Sequence, residues 1–370
     1  MDSNPLFVPQ KMGNLSVPNR VFLAPLTRNR AYDDGTPRED AAIYYAQRAS
    51  AGLLISEAVD ASPLGKGYIN TPGMYTDKQV QAWKPITAAA HANGGRIFCQ
   101  LGHVGRIRHS SIEPEGEQPV APSAIRADAK TFTHKGYENV SKPRALSIEE
   151  IDQIIADYAQ AAIRAMEAGF DGIEIHAANG YLISQFLHQY ANKRNDEYGG
   201  SIENRCKFVM HIIDRLIEEI GAAKIGIRFS PNEEANDMKA SDSLALYSYL
   251  IDELDKRELA YLHLVESFEG IDSDADKATT IKEIRKHWSG FYVANGNYTA
   301  KRAVKAVAEG WCDAVAIGHL FLANPDLPSR WLNDVPLNEP DEDTFYGGDQ
   351  KGYIDYPFAT YGRDGNYDFS

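Results

Sequence analysis

Short apolar runs alternate with stretches of helical spacing from one end of the chain to the other. Runs this short, bounded by Gly, Pro or polar residues, read as buried strands. They predict strands at Val21–Ala24, closed by Pro25, and at Leu53–Ser56, Arg96–Gln100, Gly172–Ile175, Lys224–Phe229, Tyr261–Val265, Phe291–Ala294 and Ala314–Ile317. Between them lie helices at Ala41–Ala51, Asp77–Asn93, Ile202–Ile220, Ser243–Lys256, Thr280–Lys286 and Ala300–Glu309. A further helix opens at the capping box Ser147-Ile-Glu-Glu150, runs to Ala168 and is closed by Gly169.

Eight strands with seven intervening helices fit an α/β fold, a (β/α)8 TIM barrel. A doubly wound sheet is the alternative, but the Gly-x-Gly-x-x-Gly turn it usually carries after an early strand is absent. His103–Leu146 is too long for an ordinary loop and lacks strong periodicity, so residues 103–146 read as an insertion after strand 3, capping one face. The acidic stretch Glu266–Asp276 reads as a mobile loop, and the tail after Pro325 as irregular, aromatic and packed on the barrel. At 370 residues the expectation is one barrel domain over 1–370.

Charge and cysteine usage narrow the function. A net charge of -14 disfavours nucleic acid and anionic membranes as partners, because both need basic patches. The amino terminus has no basic region followed by an apolar core, and no apolar run approaches membrane-spanning length. Cys99, Cys206 and Cys312 are odd in number and far apart, without a Cys-x-x-Cys pair for zinc, iron–sulfur or a dithiol. The expectation is a reduced, cytoplasmic protein that binds no metal.

Laid on the predicted strands, the unusual polar residues gather at the carboxyl ends, where barrel enzymes keep their chemistry. Ala24-Pro25-Leu26-Thr27-Arg28 follows strand 1, Glu57-Ala58 strand 2, and Gln100 strand 3. His176, with Asn179 and Tyr181 just beyond, ends strand 4, and Arg228 falls near the end of strand 5. Strands 7 and 8 run into Asn295-Gly296-Asn297 and Gly318-His319, which are Gly-rich and precede helices, the usual barrel phosphate cradle. His176 and Asn179 could hold a carbonyl oxygen while Tyr181 supplies a proton; on this stretch alone, a core histidine beside an Asn-Gly turn stays equally open. A phosphate cradle, a central Arg228, and the Gln100 amide with the Thr27 hydroxyl would together suit a phosphorylated heterocycle such as a flavin.

With these positions in view, the sequence resembles the Old Yellow Enzyme family of flavin-dependent ene-reductases over nearly its whole length. The matching segments are APLTR at 24–28, YYAQRASAGLLISEA at 44–58, CQLGHVGR at 99–106, HAANGYLISQFL at 176–187 and NKRNDEYGGSIENR at 192–205. They continue with IRFSP at 227–231, ANGNYT at 294–299, IGHLFLANPDL at 317–327 and GYIDYP at 352–357. The resemblance implies FMN held non-covalently at the barrel mouth, with Pro25, Leu26, Thr27 and Ala58 along the ring and Gln100 and Arg228 at its pyrimidine end. Gly296, Asn297, Gly318 and His319 would bind the phosphate, and Asn295 would be a further cofactor contact. His176 and Asn179 would grip a substrate carbonyl, Tyr181 would donate the proton, and Tyr68, Gly102 and Tyr353 would line the substrate pocket. NADPH or NADH would reduce the flavin, and small activated alkenes (unsaturated carbonyl, imide or nitro compounds) would reoxidise it, in a monomer or homodimer.

Two positions depart from the family pattern: Gly102 stands where Trp is usual, and His319 where the phosphate-site Gly is usually followed by Arg. Two other functions remain open from sequence: a flavin-free barrel lyase or isomerase using His176 and Tyr181, and a flavin-binding redox sensor with little turnover.

Overall fold

The computed structural model describes residues 4–112, 116–232, 235–239, 241–266, 275–361 and 367–368. Eight parallel strands form a closed barrel: β1 (Val21–Leu23), β2 (Leu54–Asp60), β3 (Ile97–Gly102), β4 (Gly172–His176), β5 (Ile225–Phe229), β6 (Tyr261–Val265), β7 (Tyr292–Asn295) and β8 (Ala314–Ile317), with β8 pairing back onto β1. Parallel neighbours need long crossovers, and these are the helices Asp40–Gln47, Asp77–Ala92, Ile148–Glu167, Ile202–Ile220, Ser243–Asp255, Ala275–Arg285 and Ala300–Ala308. The strands are covered on both faces, which is why they read as apolar runs rather than as alternating patterns. Inside, Phe22, Ile55, Phe98, Tyr261, Val293 and Ala316 pack with Met12 and Val17 of an amino-terminal hairpin, Gln10–Met12 with Leu15–Val17. Outside, Trp83, Ile86, Tyr158, Ile212, Leu216 and Leu250 join the helices to the barrel.

The capping box forms as read. Ser147 Oγ accepts from the Glu150 amide at 3.3 Å, and the Glu150 carboxylate accepts from the Ser147 amide at 2.9 Å. Gly169 takes φ +89° behind that helix, a left-handed turn that glycine makes without a Cβ penalty.

Several elements differ from the sequence reading. β2 continues past Ser56 to Asp60 through a register shift against β3 between Ile55 and Ala58. The Ser56 hydroxyl accepts from the Gln100 amide at 2.9 Å, and the charged Glu57 that reads as a strand end is buried, accepting from the Arg28 amide at 3.1 Å. The insertion has strands after all: a hairpin, Lys130–Thr133 with Gly136–Asn139, and a parallel pair, Val120–Ala121 with Arg144–Ala145. Each is too short to show a period.

After β4 comes an extra helix, Leu182–Leu187; all of its residues are buried, so no amphipathic face marks it. Two further short helices follow β8: His319–Ala323 directly after the strand and Leu327–Asn333 in the tail. Most of the predicted mobile loop, residues 267–274, lies outside the described residues. Its first residue, Glu266, is buried and accepts from the Tyr292 and Tyr298 hydroxyls at 2.9 and 2.7 Å and from Trp311 Nε1 at 2.7 Å. Among the described residues no helix is long and apolar enough to cross a membrane.

Candidate active site

The carboxyl end of β4 shows how the site is assembled. Past His176 the chain reverses through Asn179, at φ +59°, and Gly180, at φ +74°. Asn179 is tied by its amide to Ser230 Oγ at 2.8 Å and by its carbonyl to Asn236 Nδ2 at 2.8 Å. At Gly180 an added Cβ would lie 2.5 Å from the Ala235 carbonyl oxygen, so only glycine fits the turn. The reversal sets the Tyr181 ring edge-on to His176, centroids 5.0 Å apart at 85°. The Tyr181 hydroxyl lies 3.0 Å from that of Tyr68.

Both chemical groups on this turn are neutral near pH 7. Burial, then the charge of Arg228 and the neighbouring His263, hold His176 well below the usual imidazole pKa. His176 Nδ1 accepts a 3.4 Å hydrogen bond from the Ala178 amide, which assigns the remaining proton to Nε2. Burial raises the Tyr181 phenol, although its hydrogen bond with Tyr68 pulls the other way. The Asn179 side-chain oxygen is buried without a hydrogen-bond partner.

Below them, a charged network crosses the barrel interior. Glu174, fully buried, accepts from Gln100 Nε2 at 2.8 Å, Tyr261 Oη at 3.0 Å and His263 Nδ1 at 2.7 Å. Burial alone would protonate this carboxyl; His263, Arg228 and Gln100 outweigh it and hold Glu174 below the ordinary carboxylate pKa. Arg228 is the ladder neighbour of His176 on one side and of His263 on the other, and its Nη2 donates to Asn295 Oδ1 at 3.0 Å.

One cavity of about 920 Å³ opens at the carboxyl ends of the strands. It gathers Pro25, Leu26, Thr27, Tyr68, Gln100, His176, Asn179, Tyr181, Arg228, Asn295, Gly296, Asn297, Gly318 and His319, residues the sequence reading singled out from seven different strands or their loops. Three of the expected residues lie elsewhere. Ala58 is half-buried beside Gln100 on β2, outside the lining. Gly102 is buried, also outside the lining, although a Cβ on it would meet His176 Cβ at 3.6 Å.

Tyr353 is the clear correction. It is no pocket wall but a core residue, stacked on Tyr44 with centroids 4.5 Å apart and flanked by the guanidiniums of Arg28 and Arg30. The tail reaches the cavity through Phe345 and Tyr346 instead. Arg28 and Arg30 hold that segment from below, donating to the carbonyls of Phe345, Gly352, Asp349 and Lys351 at 2.8–3.1 Å. The insertion hairpin adds Lys130, Phe132 and Tyr137, and the tail adds Glu342 and Asp343. The one local signal for these was turn chemistry, His134-Lys135-Gly136 for the hairpin and Gly347-Gly348 after Tyr346.

A closed β/α barrel whose strand ends hold donors, a buried cation and a large cavity defines a barrel enzyme with its active site at the usual face. The family model described as "NADH:flavin oxidoreductase / NADH oxidase family" matches residues 5–338. Rice (Oryza sativa subsp. japonica) 12-oxophytodienoate reductase 1 is 47% identical over 358 residues, 96% of this chain and 93% of that protein. Morphinone reductase, solved in complex with tetrahydroNAD, superposes with a TM-score of 0.91 at 46% identity, covering 97% of this chain and 99% of its own. The Old Yellow Enzyme homologue of Zymomonas mobilis gives 0.92 at 42% identity, covering 95% and 99%. The chain belongs to this NADH:flavin oxidoreductase family, the Old Yellow Enzyme family, and is an oxidoreductase.

Proposed function

We propose that the protein is an FMN-dependent ene-reductase, drawing electrons from NADPH or NADH and reducing the C=C bond of α,β-unsaturated carbonyl, imide or nitro compounds. The observation that carries this reading is the sharing of one cavity by a neutral donor pair, His176 and Asn179, a protonated phenol, Tyr181, and a buried cation, Arg228. The relatives are named for oxophytodienoate and morphinone, and an activated alkene is the substrate class carried over here as a proposal.

The residues present fit a flavin. A cavity of about 920 Å³ suits a planar ligand of this size. Pro25, Leu26 and Thr27 offer an apolar wall with one hydroxyl, and Gln100, whose Nε2 is committed to Glu174, leaves its oxygen to accept. Arg228 offers positive charge to the pyrimidine end. Gly296 and Gly318 leave the backbone bare where a phosphate would sit, with Asn297 and His319 beside it; a Cβ on Gly318 would touch Leu26 at 3.4 Å. When bound, FMN supplies hydride exchange, from NAD(P)H to the ring and from the ring to the alkene β-carbon.

In this reading the protein's own groups do the rest. The His176 Nε2–H and the Asn179 amide hold the substrate oxygen, on which negative charge grows as the β-carbon takes hydride. Two preplaced donors in a water-poor site contribute about 3 kcal/mol to that step. The Tyr181 hydroxyl delivers its proton to the α-carbon, and Tyr68, 3.0 Å away, keeps it oriented. Phe132, Tyr137 and Tyr346 add aromatic surface to the same lining. The proposal takes 1–370 as one barrel domain with 103–146 as its cap, and a cytoplasmic setting, which the free and buried Cys99, Cys206 and Cys312 suit.

The test is the absorption spectrum of the purified protein before and after NADPH, followed by addition of cyclohexenone. A yellow protein bleached by NADPH and restored by the enone is expected. A colourless protein that cannot be reconstituted with FMN overturns the reading, and bleaching without restoration reassigns it to a redox sensor.

A further inference from the structure

Asn295 lines the cavity at the end of β7, and the resemblance set it among the cofactor contacts. Its side chain is already spent inside the protein. Nδ2 donates to the Ala316 carbonyl on β8 at 2.8 Å. A carbonyl oxygen only accepts, so this bond fixes which end of the amide is which. Oδ1 therefore faces Arg228 and accepts from its Nη2 at 3.0 Å.

The tie is long in sequence and oblique in the barrel. Arg228 stands on β5 and Asn295 on β7, with β6 between them. Beneath lies the network already described, in which Glu174 is held ionised partly by Arg228. The guanidinium is thus attracted downward by Glu174 and held laterally by Asn295. A long side chain released from the lateral tie would gain freedom to sink toward the carboxylate, because charge pairs strengthen as they close in a low-dielectric interior.

We infer that Asn295 is a positioning residue: it aims the Arg228 guanidinium at the cavity and so sets how strongly the protein stabilises negative charge on a reduced cofactor. The inference rests on the flavin reading above. Hydride transfer from NAD(P)H brings two electrons and one proton to the ring, which thereby acquires one negative charge, and the oxidised nicotinamide leaves. A cation held near the pyrimidine end lowers the cost of that charge. A cation that has sunk toward Glu174 does so less.

The experiment compares wild type, Asn295→Ala and Asn295→Asp, each loaded with FMN. The readout is the two-electron potential, which reports the ratio of affinities for reduced and oxidised cofactor. Asn295→Ala is expected to weaken binding of reduced relative to oxidised FMN about ten-fold, equal to a potential about 30 mV more negative. Asn295→Asp keeps the acceptor but adds a charge that neutralises Arg228, and should move the potential further in the same direction. Thermal stability is recorded alongside, since loss of the Ala316 bond lowers it whatever Asn295 does for Arg228. A lowered melting temperature with the potential unmoved in both variants makes Asn295 a mere staple between β7 and β8, and overturns the inference. Failure of wild type to take up FMN overturns the flavin reading itself, and the inference with it.

Discussion

The Tyr68 and Tyr181 hydroxyls lie 3.0 Å apart, and burial raises the pKa of both phenols. Two protonated phenols in contact share one hydrogen bond and leave one O–H to be spent elsewhere, on a substrate carbon or a water. In the proposed reaction that proton is needed only when the alkene is reduced. Tyr181→Phe should therefore leave flavin reduction by NADPH within about two-fold of wild type and slow reoxidation by cyclohexenone by about 100-fold. Stopped-flow traces of the two half-reactions decide it; equal losses in both count against Tyr181 as the acid.

The same groups dictate the pH profile of alkene reduction. His176 is held well below its usual pKa by burial, Arg228 and His263, so it stays a neutral donor as pH falls through the normal imidazole range. Tyr181 is raised, so it keeps its proton past the normal phenol range. The alkene half-reaction should run flat from about pH 6 to about pH 9. A limb near the free-imidazole pKa, present in wild type and absent in His176→Asn, would show that His176 ionises during turnover.

Acid should destabilise the fold through its buried histidines. Burial depresses His103 to about 3 and His188 to about 4, whereas both titrate near the ordinary imidazole value of about 6.5 once unfolded. Below that pH the unfolded chain binds protons that the folded chain refuses, so stability falls as pH falls, at up to about 1.4 kcal/mol per pH unit for each group. Urea melts between about pH 7 and about pH 5 should show this slope, and His188→Gln should flatten it. A melt that steepens or stays unchanged in that variant contradicts the assignment.

His319 is exposed at the cavity edge, its ring 4.7 Å from Phe345, and the same lining includes Glu342 and Asp343. Two carboxylates near a phosphate-sized cradle oppose an anion, and a histidine lacks the planar guanidinium fork that grips a phosphate in two places. His319→Arg should tighten FMN by roughly five-fold, a small gain because the position is solvent-screened. Fluorescence titration of the apoprotein measures it. Equal affinity would mean that backbone donors already suffice.

Gly102 offers a test of pocket shape. A Cβ there would meet only the His176 side chain, at 3.6 and 3.9 Å, so the position tolerates a side chain directed at the donor pair. Gly102→Trp should cut kcat/KM for bulky substituted enones more than for cyclohexenone, since indole would fill space next to His176. If size selectivity and product enantiomer ratio both hold steady, position 102 does not shape the pocket.

The sequence by itself determined the barrel and the face that carries the chemistry. Strands buried on both sides must be apolar, helices that cap them must show period and caps, and polar residues at strand ends then stand out against that background. This is why His176, Arg228, Gln100 and the Gly296 and Gly318 turns are legible in the sequence, and why the resemblance assigns them roles. Only the tertiary structure decided which side chains meet. Tyr346 and Tyr353 are aromatic residues in the same tail, yet the buried Arg28 and Arg30 sort them, one to the cavity and one to the core. The hairpin that contributes to the cavity lining is too short to carry a period of its own, and Asn295 reaches Arg228 across 67 residues only because the sheet closes. Local pattern records whether a residue is buried. Its partner is chosen by barrel closure, which no local window of sequence contains.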